Sequence, residues 1–247
     1  MRRRDLIAAL AAAAIVPRAA WSDQSPCDGK SDLACSGEIP LDYDDARFSG
    51  NAVSSALRVS ANGTVSDRSI TETGSIASIV TCDGAIIRNC RVNSRECIRI
   101  CGNGTFVIDH CYLEALGVGS DHADVIQTYS PGSRGTLKVS NTAIVTHGVA
   151  ANVGLFIADN WTGTIDLENV AFIGGGVNYG LRVHPDVGGD NIIRLKNVFF
   201  IPPFRYRPYL FGDVGRHRNI IERWEDVRLG RIMDGKLVAG PALPKPF

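Results

Sequence analysis

The sequence predicts an all-β solenoid, a single chain coiling through about seven stacked rungs of parallel strands. Three observations carry that expectation. A phrase, Gly163-Thr164-Ile165-Asp166-Leu167-Glu168-Asn169-Val170-Ala171-Phe172, returns as Gly135-Thr136-Leu137-Lys138-Val139-Ser140-Asn141 and as Asn191-Ile192-Ile193-Arg194-Leu195-Lys196-Asn197, 28 residues to either side. Each copy alternates as a strand does, with Leu137/Val139, Ile165/Leu167 and Ile193/Leu195 on one face and Lys138/Ser140, Asp166/Glu168 and Arg194/Lys196 on the other. No helical period appears between copies, and a unit this small buries its apolar side only by stacking on its neighbours.

Taken in order, residues 1–22 read as an export signal, with basic Arg2-Arg3-Arg4 followed by an Ala-rich apolar stretch too short to span a bilayer. Arg3-Arg4-Asp5-Leu6-Ile7 resembles the twin-arginine export motif, which implies a folded, exported, periplasmic or extracellular protein without a stable membrane anchor. Residues 23–247 form one domain. Its first part, 23–49, lacks the repeat and carries the acidic run Asp42-Tyr43-Asp44-Asp45, which suits a solvated cap segment.

Copies of the phrase then open near residues 64, 84, 104, 135, 163, 191 and 219, which gives a rod of about 34 Å at roughly 4.8 Å per rung. Each is followed by a shorter strand: Ile98-Arg99-Ile100, Val125-Ile126-Gln127, Leu155-Phe156-Ile157, Leu181-Arg182-Val183 and Tyr209-Leu210-Phe211. Asn89, Asn141, Asn169 and Asn197 end successive phrases and predict a corner ladder, with Asp226 as its last member. The loops 114–123, 146–153 and 174–179 fall on one side of the stack, where binding faces collect. The Pro-rich tail, 232–247, covers the far end.

Composition bounds the function. The chain has 247 residues, 45% apolar and 21% charged, with zero formal net charge, so no basic face awaits a nucleic acid. Seven cysteines suit an oxidising destination. Cys27 and Cys35 are expected to pair. Cys90 and Cys111 occupy equivalent places, as a disulfide or a reduced ladder, and Cys82, Cys97 and Cys101 are left as an odd set. No Cys/His spacing matches a zinc site.

From about residue 60 to 230 this repeat resembles the right-handed, single-stranded parallel β-helix superfamily, the pectate-lyase-like fold of pectin and alginate lyases, many glycoside hydrolases, epimerases and phage tailspikes. Ser120-Asp121-His122-Ala123-Asp124-Val125-Ile126-Gln127 is similar to a His-x-Asp-x-x-Gln phrase of exported bacterial members. The calcium-aspartate pattern of pectate lyases and the paired aspartates of polygalacturonases are missing. No cofactor or metal is therefore expected, calcium being compatible with the fold but not indicated.

Aligning the loops at Asp124, Gly154 and Gly180 puts Ile126, Phe156 and Arg182 in one exposed column and gathers Asp121, His122, Asp124, Arg182 and His184, with His147 opening the rung between. Such a patch suits elimination on a uronate polysaccharide. Arg182 pairs with the sugar carboxylate; His122, held by Asp121 or Asp124, removes the C5 proton; His184 or His147 is the acid. A hydrolase would instead pair Asp124 with Asp121 or Asp159.

Gln127 is expected to point inward with Asp124 outward, while Trp161 and Tyr179 stack on sugar or fill the core. The plainer readings are a turn cap for Asp121, a backbone hydrogen bond for His122, and solvated charge for Arg182, His184 and the run Arg205, Arg207, Arg216, His217 and Arg218. The functional expectation is an exported lyase of an acidic polysaccharide. The alternative is a non-catalytic β-helix that binds glycan or supports a surface assembly. The sequence sets no oligomeric state.

Overall fold

A computed structural model describes residues 38–74, 77–119, 122–129, 132–147, 151–159, 161–185, 188–212 and 216–247. The expected export signal, Cys27, Cys35 and Asp121 lie outside them. The described chain is strands, turns and one short 3-10 helix, Ala46–Phe48. Its strands fall into three stacked columns.

The first column holds β3 (Gly63–Ser66), β6 (Ala85–Arg88), β9 (Gly104–Asp109) and the opening halves of four long strands, β12 (Arg134–Thr146), β14 (Thr162–Ile173), β16 (Asn191–Ile201) and β18 (Asn219–Met233). The second holds β1 (Ala52–Ser54), β4 (Arg68–Glu72), β7 (Arg91–Ser94), β10 (Tyr112–Ala115) and the closing halves of those long strands. The third is β2 (Leu57–Val59), β5 (Ile79–Thr81), β8 (Ile98–Ile100), β11 (Ala123–Thr128), β13 (Ala151–Ile157), β15 (Tyr179–Val183) and β17 (Tyr209–Phe211). Among the described residues all these strands pair in parallel; only the terminal β19 (Lys236–Ala242) runs antiparallel, against β18. The arrangement is all-β and compatible with a β-helix solenoid.

The repeat dictates this stacking residue by residue. Leu137 lies beside Ile165, Ile165 beside Ile193 and Ile193 beside Ile221, all buried, and Phe172 stacks on Phe200 at 4.9 Å between ring centroids. Each such side chain removed from water contributes about 1.5–3 kcal/mol. Outside the first column, the alternate positions carry ion pairs from rung to rung, Lys196 Nζ with Glu168 at 2.7 Å and Arg194 with Glu222 at 2.8 Å. At the head of the column, a Cβ on Gly163 would sit 1.9 Å from the Gly135 carbonyl oxygen, so only glycine lets these rungs approach.

First and second columns meet at a corner in left-handed backbone. Asp67, Asn89, His110, Asn141, Asn169, Asn197 and Asp226 all adopt it, with φ between 48° and 59°. Asn and Asp tolerate this conformation best, which is why the phrase ends in Asn. The amides also link rungs: Asn169 Nδ2 donates to Asn141 Oδ1 at 2.7 Å, and Asn89 Nδ2 to Asp67 Oδ1 at 2.7 Å. Asp67 and His110 are corner members that the Asn pattern alone does not reveal.

The second column is apolar on its outer side as well. Tyr112, Ala143, Ala171, Phe199, Val145 and Ile201 are covered there by Ile39 and Phe48 from the leading segment and by Leu237 from β19. The leading segment thus lies along a flank, where Tyr43 meets the Tyr112 ring edge-on and Asp45 accepts from Arg47 N at 3.0 Å. The tail closes the last rung, since its Leu243 and Pro244 carbonyls accept from Trp224 Nε1 and Tyr209 Oη at 2.9 and 3.0 Å. Cys82, Cys90, Cys97, Cys101 and Cys111 are free thiols, so the Cys90/Cys111 step is a reduced ladder within the core.

The register of β11 departs from the one expected from the sequence. The chain bulges between Ala123 and Asp124, and the register then runs Ile126 with Leu155, Gln127 with Phe156 and Arg99, and Thr128 with Ile100. Gln127, not Ile126, therefore occupies the outward column, and Asp124 stands opposite Val153 rather than Gly154. The polar Thr128 takes the inward place that an aliphatic holds in neighbouring rungs. It is satisfied there by accepting from Ala158 N at 3.1 Å and donating to Ala158 O at 3.3 Å.

Candidate active site

The outward side of the third column reads Arg99, Gln127, Phe156, Arg182, Leu210 from rung to rung. The arginines of this column, and Arg205 before β17, rest on aromatic rings: Arg182 lies 4.7 Å from the Phe156 ring centre, Arg99 5.2 Å from Tyr129 and Arg205 5.3 Å from Tyr206. Contacts of this kind hold a guanidinium flat while its edge stays available to an anion. Arg182 Nε is buried and, among the described residues, has no hydrogen-bond partner. The guanidinium of Arg99, by contrast, is occupied, donating to both carboxylate oxygens of Glu96 at 2.9 and 2.6 Å.

Beneath this column runs a line of polar side chains. The amide of Cys97 bonds to the Val125 carbonyl, so Glu96 and Asp124 occupy neighbouring places on successive rungs, each 1% exposed. Asp124 Oδ1 accepts from Asn152 Nδ2 at 3.2 Å, and Asn152 Oδ1 from Asn178 Nδ2 at 2.8 Å. Burial and the negative charge of Glu96 push the Asp124 carboxyl well above the usual range, against the opposing pull of Asn152, the Val153 backbone and the Arg182 charge. Asp124 is accordingly enclosed, not outward as expected. Sequence reasoning missed Glu96, although it stands one repeat before Asp124.

The histidines separate. His147, exposed at the start of the loop into β13, places Nε2 against Glu114 Oε1, and Glu114 is held from behind by Asn93 Nδ2 at 2.7 Å. A carboxylate that fixes one ring nitrogen orients the other, the arrangement of an imidazole base. His122 is exposed, and the polar contacts on the Asp124 carboxyl come from Asn152 and the Val153 N–H; the other carboxylate expected to hold His122, Asp121, lies outside the described residues. His184, half-buried, donates its backbone N–H to Ile157 O at 2.8 Å and sits against Gly212.

Of the residues expected to contact substrate, Gln127 donates to Asp159 Oδ2 at 2.9 Å, which overturns the inward placement of Gln127 and ties Asp159 down. Trp161 is fully buried with Nε1 bonded to Gly102 O at 3.1 Å, so it fills the core and does not meet solvent. Tyr179 lies at the loop mouth, its ring 5.5 Å from that of the exposed Tyr206. Among the described residues, no group of three or more His, Cys, Asp or Glu side chains is arranged to hold a metal ion. An open groove of about 460 Å³ lies elsewhere, over Gly104, Gly135 and Gly163 with Thr136, Arg134 and Asp190, and contains none of the expected catalytic residues. Comparison with family models, curated proteins and solved structures finds no match for this chain.

Proposed function

We propose that the protein is an exported, right-handed parallel β-helix of seven rungs, of the pectate-lyase-like kind, that cleaves an acidic, uronate-containing polysaccharide by elimination. The observation that carries the reading is Arg182. Its half-buried guanidinium lies on Phe156 in the outward column with Nε itself buried, so the terminal nitrogens are the atoms that would pair with a sugar carboxylate. Pairing neutralises that carboxylate and makes the adjacent C5 proton removable. His147, held by Glu114, opens the segment leading to the strand next to that of Arg182 and supplies the base; His184 supplies the proton to the departing oxygen. Tyr206 and Tyr129, each about half exposed, offer ring faces to neighbouring sugars.

Elimination is favoured over hydrolysis because two of the carboxyls that a hydrolase would use are engaged, Asp124 beneath the surface and Asp159 by Gln127. The burial of Asp124 favours a second reading, a face that binds glycan without turning it over. The test is incubation of the mature protein with a panel of uronate polymers. Unsaturated-product absorbance supports elimination; new reducing ends without it point to hydrolysis, and binding with neither leaves the second reading.

A further inference from the structure

Two ionisable groups lie buried side by side under the outward column, and their surroundings differ. Glu96 accepts from Nε and Nη2 of Arg99 and, at 3.4 Å, from a nitrogen of Arg95. Asp124 receives one neutral amide, Asn152, and a backbone N–H from Val153. The charged groups facing Asp124 are Glu96, one rung before it, and Arg182, two strands along. Two carboxylates packed one rung apart in a water-excluded place do not both ionise, and the one with the cations keeps the charge. An ionised Asp124 would also be drawn to Arg182 and quench it.

From this arrangement we infer that Glu96 is a positioning residue that keeps Asp124 in its carboxylic-acid form, so that Arg182 retains its full charge for an anionic ligand. The inference deepens the uronate reading and rests on it for the identity of the anion; the proton on Asp124 stands independently of any turnover. Its chemical content is an equilibrium only. Raising the pH removes the Asp124 proton to solvent, the new carboxylate attracts the Arg182 guanidinium, and affinity for an external carboxylate falls.

The experiment has two readouts on the full mature chain. Infrared difference spectra of protein carrying 13C-labelled aspartate should show a protonated carboxyl band at pH 7 that is missing from Asp124→Asn. Glu96→Gln, which removes the neighbouring negative charge and releases Arg95 and Arg99 but leaves Asp124 buried, should carry the loss of the band to lower pH. Calorimetry with tri-galacturonate should show affinity falling as pH rises in the wild type, a flat profile in Asp124→Asn, and a loss of about tenfold for Glu96→Gln at pH 7. If Glu96→Gln does not fold, Arg99→Gln serves instead. It strips a cation from Glu96, moves part of the shared charge onto Asp124 and must weaken the band at pH 7.

A wild-type spectrum without the band at pH 7, a band that neither variant moves, or a pH profile unchanged in Asp124→Asn would overturn the inference. Binding that behaves as described with no unsaturated product would instead sink the lyase reading and leave the proton assignment standing.

Discussion

The Asn169 side chain donates to Asn141 Oδ1 at 2.7 Å, and both residues hold left-handed backbone at the same corner of successive rungs. Each therefore does two things, adopting a conformation that most residues resist and linking its rung to the one before. Replacing Asn169 by Ala should cost roughly 2–4 kcal/mol, from the left-handed penalty and the lost buried hydrogen bond together. Asn169→Gly keeps the backbone freedom and should cost about half as much. Urea unfolding of the two variants separates the contributions, and equal losses would show that the backbone requirement is not at work.

Gly163→Ala tests the stacking itself. The added Cβ would fall on the Gly135 carbonyl, a backbone atom that cannot swing aside, so the variant should lose about 3 kcal/mol or more or fail to fold. Melting temperature and far-ultraviolet dichroism report this directly, and a variant as stable as the wild type would contradict the rung geometry at that point.

Much of this geometry is legible in the sequence, for a physical reason. Where the repeat holds at 28 residues, a residue's column is fixed by counting, so Leu137, Ile165 and Ile193 declare themselves core and Asn141, Asn169 and Asn197 declare a corner. Counting fails where length changes. The bulge at Ala123/Asp124 moves Gln127 outward, and no local propensity announces it. His110 takes a corner position usually held by Asn, and Glu114 meets His147 across 33 residues rather than 28 because the intervening loop is longer. The buried Glu96 hides for another reason: an Arg-Glu-x-x-Arg stretch reads as solvated charge until a second rung covers it.

For catalysis, the two histidine candidates make different predictions. His147→Ala should lower turnover of a uronate polymer by about 10²–10⁴-fold, and Glu114→Gln by a smaller factor, because it disturbs orientation rather than removing the base. His122→Ala, which lacks a carboxylate anchor among its described contacts, should change turnover less than tenfold. Initial rates of the three variants decide between them, and the reverse order would return the base to His122.

Stability should depend on pH through Asp124. Its folded-state carboxyl holds its proton more tightly than in the unfolded chain, so the folded state binds more protons once pH exceeds the unfolded value. The contribution is complete below about pH 4 and is lost as pH climbs through the raised folded value. Asp124→Asn should remove that decline, its advantage over the wild type growing with pH, as denaturant midpoints between pH 4 and 8 would reveal. A constant difference between the two proteins would contradict the assignment.

Thiol chemistry gives an independent check on burial. Cys82 is exposed, whereas burial pushes the Cys97 and Cys111 thiols up and away from reactive thiolate. Iodoacetamide applied to the folded protein, followed by peptide mass mapping, should label Cys82 and spare Cys97 and Cys111 until denaturant is added.

The most direct measurement of the functional account compares wild type and Arg182→Gln on a uronate polymer, following unsaturated product with time. The account predicts steady product from the wild type and a loss of at least about a hundredfold in the variant, whose fold and melting temperature stay unchanged. Equal rates from the two proteins, or no unsaturated product from the wild type on any uronate polymer, would contradict it.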